Sequence, residues 1–348
     1  MIDTYSLCEQ CYRHVPAKRF IRDGCIYLGK TCPKHGYHEC LVEIDSEFYL
    51  NQEYERRDPH SYWLDITNRC NLDCPHCYQM PENTSTDPAI DYILFQISQW
   101  PDNGFPISLV GAEPTTRKDL PELIRAIQAL PGKPRMIMVV TNGINLGKED
   151  YAKKFVGIEN LKWTIGLNHP EYNGGVIRKK QEEGIKNCIS LGLSIKNFTY
   201  TLGDLSQLPY VLEEVQEWNR KGICDNARIQ VGVEIGRTPE EHEAELYLSD
   251  LVKATKQETL NKNWSWEPSI EGNRTHYTVY INGVLHRLIK WVDVKTIDFS
   301  EVFSESLAEL VPGKPMSTLL HQVILRDRFV NQKQPLYDTL PDQYRNYN

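Results

Sequence analysis

Three cysteines fall within eight positions of the stretch "CNLDCPHCYQM": Cys70, Cys74 and Cys77. Thiolates at this spacing can hold zinc or an iron–sulfur cluster, but a closed zinc site and an ordinary [4Fe–4S] cluster each take four protein ligands. Either a fourth ligand arrives from elsewhere or one coordination position stays open. A second concentration lies at the N-terminus. "CEQC" places Cys8 and Cys11 at a two-residue gap, and "CPKHG" repeats that gap with Cys32 and His35. Two such knuckles make one four-coordinate site of the zinc-ribbon or rubredoxin kind, because each tight turn presents two ligands to one ion. Cys25 or Cys40 can stand in for His35, and five cysteines with a histidine also leave room for a cluster, so the second metal is zinc or iron. A segment this short buries too little apolar surface to fold alone, and the metal supplies much of its folding free energy.

The elements that must position these groups are regular between about residues 60 and 255. The runs "YWLDIT", "FPISLVG", "RMIMVVT", "LKWTIGL", "SIKNFTY" and "ARIQVGV" read as strands, with helix patterns starting near Asp87, Leu120, Lys148, Ile177, Leu208 and Pro239. Such alternation implies parallel strands with helical crossovers, as an open doubly wound sheet or a partial barrel. In both, chemistry gathers where strands end, at the C-terminal edge. The triple-cysteine loop follows the first run, "LVGAEPTT" follows the second and "VVTNGIN" the third, so topology alone brings the three loops to one edge.

The order and content of these pieces resemble the radical S-adenosylmethionine (SAM) superfamily, whose signature is CxxxCxxC after the first strand of a partial (β/α)6 barrel. The resemblance implies that Cys70, Cys74 and Cys77 hold three irons of a [4Fe–4S] cluster and that SAM binds the fourth. It also implies reductive cleavage of SAM to a 5′-deoxyadenosyl radical that abstracts hydrogen from a substrate carbon. Cofactor contacts follow from the same resemblance. Gly111, Ala112, Glu113 and Pro114 occupy the loop where the family usually has Gly-Gly-Glu-Pro, and Thr141 and Asn142 end the third strand. Asn168 ends the fourth strand, beside His169. Arg178 is placed to pair with the SAM carboxylate, Gly232 and Val233 to pack the adenine, and His76 lies inside the cysteine loop. The N-terminal "VPAKRFIRDGCIYLGKTCPKHG" ahead of such a core is similar to a subgroup containing archaeal tetraether lipid synthase and methanogen enzymes that methylate a pterin precursor. That likeness implies methylation or C–C bond formation on a small molecule or cofactor precursor, with an electron donor such as flavodoxin or ferredoxin. Peptide modification, and a non-catalytic metal-stapled binding protein, are the alternatives. No catalytic side chain is assigned.

The expected architecture is therefore α/β: a metal-binding knuckle over residues 1–57, a partial (β/α)6 TIM-like barrel over 58–258, and an α+β cap over 259–348. In the cap, "THYTVYINGVLHRLIKWVD" reads as a β-hairpin turned at Asn282 and Gly283, with His276 and His286 as polar side chains and an aromatic stripe that favours packing. Bulk properties agree with a soluble enzyme. The chain has 348 residues and a net charge of −8, which gives no help to nucleic-acid binding. It holds no apolar run long enough for a transmembrane helix, and the start "MIDTYSLCEQ" lacks a basic stretch followed by an apolar one, so the expected location is the cytoplasm. Ten cysteines in such a chain suit metal ligation better than disulfides, with Cys188 and Cys224 left as plain thiols.

Overall fold

The computed structural model describes residues 2–7, 14–50, 62–74, 77, 81, 83–98, 104, 106–132, 136–231, 246–260, 264–271, 274–281 and 284–290. The chain begins with a four-stranded antiparallel meander of β1 (Ile2–Leu7), β2 (His14–Arg22), β3 (Cys25–Cys32) and β4 (Gly36–Glu43). Asp23 and Gly24 join β2 to β3 with φ of 51° and 76°, the left-handed pair that a two-residue hairpin matched to strand twist requires, and Arg22 pairs with Cys25 across it. One face of the meander packs Ala17, Ile26, Leu28 and Val42 against Tyr49 of the short helix α1 (Ser46–Leu50).

The alternating region forms β5 (Tyr62–Asp65), α2 (Ile90–Ser98), β6 (Ile107–Val110), α3 (Leu120–Ala129), β7 (Ile137–Thr141), α4 (Glu149–Ala152), β8 (Leu161–Leu167), α5 (Val176–Ser190), β9 (Ile195–Leu202), α6 (Leu208–Arg220) and β10 (Cys224–Val231). Each strand from β5 to β10 pairs in parallel with the next one in sequence. A doubly wound sheet reverses its strand order at a switch point, so this unbroken order selects the partial-barrel alternative. Alternate strand residues, including Leu109, Val139, Trp163, Ile165, Phe198 and Tyr200, form the fully buried core with the helices. The residues between them, among them Asp65, Ser108, Lys162, Thr164, Asn197 and Thr199, belong to the opposite face, because side chains alternate along a strand.

Two elements differ from the sequence expectation. The helix expected from Lys148 is only Glu149–Ala152, flanked by 3₁₀ turns, and Phe155 in the second turn meets Tyr151 and Trp163 edge-on at 5.3 and 4.9 Å. After α7 (Leu248–Glu258), three antiparallel strands follow: β11 (Trp264–Glu271), β12 (Arg274–Ile281) and β13 (Val284–Lys290). The hairpin register pairs Ile281 with Val284, and the expected turn residues Asn282 and Gly283 lie outside the described residues. β11 was not legible because Pro268 sits at its middle; it is the edge strand of the sheet, where proline removes no needed ladder bond. β13 pairs with β10 in parallel at Ile289 and Ile229, so the meander extends the barrel sheet.

The N-terminal meander docks on the core through α7. Glu43, 1% exposed, accepts from the Ser249 hydroxyl at 2.6 Å, and Asp45 pairs with Lys253 at 2.7 Å. None of the described helices is long and apolar enough to cross a membrane.

Candidate functional site

The loop after β5 is anchored before it reaches its first cysteine. Arg117, 1% exposed, donates from Nη1 to the carbonyls of Ile66 and Pro88, both at 2.9 Å, and pairs with Asp119 at 2.8 Å. Thr67 Oγ1 donates to Asp87 at 2.6 Å, and the Arg69 guanidinium pairs with the same carboxylate. Cys70 then donates its backbone N–H to Asn83 Oδ1 at 2.9 Å, Leu72 N–H points at Cys70 Sγ at 3.3 Å, and a turn closes from Cys77 N–H to the Cys74 carbonyl at 3.2 Å. Beside this loop lies a cleft of about 500 Å³ lined by Cys70, Asn71, Leu72, Asp73, Pro81 and Asn83.

Burial pushes the Cys70 thiol up to about 12, and the negative charges of Glu113, Cys77 and Cys74 add to it. Iron held here would reverse that balance, since a metal deprotonates its thiol ligands. Among the described residues no three His, Cys, Asp or Glu side chains gather round a single point. The donor set of three thiols fits a [4Fe–4S] cluster with one iron left for a ligand that is not cysteine.

The loop after β6 crosses directly over the strand-one loop. Gly111 has φ of +122°, and a Cβ there would lie 2.3 Å from the Thr67 carbonyl oxygen, so only glycine fits. The next residue donates back to that oxygen: Ala112 N–H reaches it at 2.9 Å. Ala112 is not among the residues with positive φ, so alanine occupies the second place of the loop without strain. Glu113, 1% exposed, turns its carboxylate inward. Its Oε1 accepts from Thr115 N–H at 3.0 Å, from the Thr115 hydroxyl and from the Thr141 hydroxyl at 2.6 Å, and its Oε2 accepts from Asn142 N–H at 2.7 Å. Burial outweighs these donors and raises its pKa above the ordinary glutamate value. Pro114 starts the following 3₁₀ turn, which Glu113 caps.

Thr141 and Asn142 end β7, and both are brought to the site. Asn142 Nδ2 donates to Asn71 Oδ1 at 2.7 Å, next to Cys70, while Asn142 Oδ1 accepts from Ile144 N–H at 3.0 Å. The loops after β5, β6 and β7 thus converge through Asn71, Glu113 and Asn142. Asn168, following β8, lies at the same edge, and His169 meets the Tyr210 ring edge-on at 5.1 Å. Arg178 is a correction. It is 3% exposed, with its guanidinium held by Glu214, by Glu182 at 3.2 Å and by the Asn168 carbonyl at 3.3 Å. Glu214 also accepts from the hydroxyls of Tyr200 at 2.6 Å and Tyr210 at 3.1 Å, so Arg178 closes a buried network and its fork is not available to a cofactor carboxylate. Gln181, fully buried on α5, was missed: within "RKKQEE" it reads as a solvated helix face, and its three-residue spacing from Arg178 was the available signal.

Of the residues expected to hold the N-terminal ion, Cys32 and His35 are together, with Sγ 3.6 Å from Nδ1. Cys32 and Gly36 pair at one end of the meander, the end at which β1 stops at Leu7 and β2 starts at His14. Cys8 and Cys11, like His76, Gly232 and Val233, lie outside the described residues. The alternatives separate from this end. Cys25 opens β3 and Cys32 closes it, about 23 Å away for seven strand steps, and Cys40 pairs with Leu28, about 13 Å short of the turn. Strand length therefore removes Cys25 and Cys40 from a shell built on Cys32 and His35.

Comparison with known proteins matches both halves of this picture. Residues 64–207 match the family model of the radical SAM superfamily, and residues 2–44 match that of the HMPTM N-terminal zinc ribbon domain. The 7,8-dihydro-6-hydroxymethylpterin dimethyltransferase of Methanocaldococcus jannaschii is 28% identical over 227 residues, covering 54% of this chain and 44% of that protein. A probable GTP 3′,8-cyclase of Methanococcus vannielii is 31% identical over 164 residues, 44% of this chain and 54% of that one. The chain thus spans about half the length of the curated relatives it matches. Among solved structures, Streptococcus suis SuiB bound to S-adenosylmethionine aligns with a TM-score of 0.47 and 18% identity over 58% of this chain and 47% of that one.

Proposed function

We propose that this chain is a radical SAM enzyme with an N-terminal metal-binding ribbon and that it modifies a carbon of a small polar molecule or cofactor precursor by methylation or C–C bond formation, a reading supported by the two family models it matches. A [4Fe–4S] cluster held by Cys70, Cys74 and Cys77 would supply the electron that cleaves SAM to methionine and a 5′-deoxyadenosyl radical. The observation that carries the reading is the convergence of three loops on the cysteines. Gly111 lets the second loop touch the first, Glu113 ties the second to the third, and Asn142 reaches Asn71 beside Cys70. This side of the site serves to hold the cofactor in one orientation against the sheet edge and to keep water from the reacting atoms.

Support for a small polar substrate comes from two directions. The names of the relatives place their activity on a pterin and on GTP. The sheet face opposite the helices carries Asp65, Thr164, Asn197 and Thr199 beside Val110, Met138 and Val140, and Asn197 Nδ2 donates to Thr164 Oγ1 at 2.9 Å with both residues buried, so polar groups line the strands on this side, which favours a hydrogen-bonding heterocycle over a lipid chain. A redox protein such as flavodoxin or ferredoxin would serve as electron donor. For the ribbon we assign the ligands Cys8, Cys11, Cys32 and His35 to one structural ion, zinc or iron.

The test uses the anaerobically reconstituted protein, reductant, SAM with an isotopically labelled methyl group, and a reduced pterin. Label in the pterin, or deuterium transfer from a deuterated pterin into 5′-deoxyadenosine, is the expected result. Label appearing only in an added peptide would replace the small-molecule reading with peptide modification.

A further inference from the structure

Gln181 lies on α5, is 0% exposed, and joins the C-terminal ends of β7 and β8. Its Nε2 donates to the carbonyls of Gly166 at 2.8 Å and Asn142 at 3.1 Å and to Oδ1 of Asn168 at 3.0 Å, and its Oε1 accepts the Asn168 backbone N–H at 3.1 Å. The two ends of a side-chain amide are told apart by what faces them. Here the backbone decides. The carbonyls of Gly166 and Asn142 can only accept, and the Asn168 N–H can only donate, so Gln181 has one possible orientation. Asn168 inherits it: Oδ1 must face Gln181 Nε2, which turns Nδ2 the other way. Among the described residues no group accepts from that Nδ2, and Asn168 is half-buried at the sheet edge where the other loops converge.

We infer that Gln181 is a positioning residue that fixes the Asn168 carboxamide so that its Nδ2 is offered as a donor to an acceptor oxygen of bound SAM. The inference rests on the reading that SAM binds at this edge. Its consequence is chemical rather than steric. Gln181→Glu keeps the acceptor for Asn168 N–H but sets a second acceptor against three oxygens, and the Asn168 amide answers by reversing, which turns Oδ1 toward the ligand. The variant should then behave as if Asn168 had lost its donor.

Equilibrium SAM binding to the cluster-loaded protein, followed together with the electron paramagnetic resonance spectrum of the reduced cluster, tests this. Asn168→Ala and Gln181→Glu should each raise the Kd for SAM about tenfold, the effect of roughly one hydrogen bond, and weaken the spectral change that SAM induces. The double variant should match Asn168→Ala alone, because Gln181 acts through a side chain no longer present. Gln181→Met, which frees the amide without burying a charge, guards against a folding defect and should raise Kd severalfold at unchanged iron content. Additive effects in the double variant, or wild-type affinity in Gln181→Glu and Gln181→Met, would overturn the inference while SAM binding stands. Absence of SAM binding by the wild-type protein would overturn the cofactor reading itself, and this inference with it.

Discussion

Replacing Glu113 separates a clasp between loops from a direct cofactor ligand. Its carboxylate accepts from two backbone N–H groups, Thr115 and Asn142, and from two threonine hydroxyls. In Glu113→Gln one end of the amide becomes a donor. Turned one way it faces Asn142 N–H; turned the other it faces Thr115 N–H, since the hydroxyls can rotate to accept but a backbone amide cannot. One buried N–H is stranded either way, which with the loss of charge-assisted bonding costs about 2–4 kcal/mol, less whatever the cheaper burial of a neutral amide returns. Glu113→Ala strands both amides and leaves a cavity, for about 4–6 kcal/mol. The assay is anaerobic denaturant unfolding of the cluster-loaded variants, with iron content and SAM affinity measured below the transition. Stability should fall in that order, with SAM affinity falling alongside as Asn142 is released from Asn71. Glu113→Ala with wild-type stability and a selective loss of SAM binding would refute the argument, since only a carboxylate facing the cofactor behaves that way.

Three other outcomes follow from particular contacts. Arg178→Met should destabilise the protein by about 3–5 kcal/mol by leaving Glu214 buried without its cation, with SAM affinity retained and stability largely restored by adding Glu214→Gln; a stable Arg178→Met that no longer binds SAM would contradict this. Glu43, whose pKa burial raises against the opposing hydrogen bonds from Ser249, binds more protons in the native than in the unfolded state between the ordinary value of 4.5 and its raised one. Its contribution to stability is therefore lost as pH rises through that raised value, and Glu43→Gln should flatten this part of the urea-midpoint profile; an unchanged slope would place the titration elsewhere. Cys8→Ala with Cys11→Ala should remove one tightly held ion by elemental analysis and leave the iron and sulfide at Cys70, Cys74 and Cys77 in place, whereas loss of both together would show a shared site.

The parts legible in the sequence are those set by local pattern. Strand and helix periods gave the order β5 to β10, and the two-residue Asn-Gly signal located the β12–β13 hairpin. What escaped depends on which way a side chain turns in three dimensions. Glu113 lies in a cofactor loop yet points into the protein, Arg178 and Gln181 sit in a charged run yet are buried, and Cys25 is near Cys32 in number but at the other end of a strand. Apart from the three-residue spacing between Arg178 and Gln181, none of these has a period or a spacing that marks it, since each is fixed by a partner far along the chain, such as Glu214 for Arg178 or Asn142 for Gln181.

The central claim is that Cys70, Cys74 and Cys77 hold a cluster that cleaves SAM, and release of 5′-deoxyadenosine tests it most directly. The wild-type protein, reconstituted anaerobically and supplied with dithionite and SAM, should form 5′-deoxyadenosine and methionine, and the variant with all three cysteines replaced by alanine should form none. Cleavage retained by the triple variant, or absent from wild-type protein carrying a full cluster, would contradict the assignment.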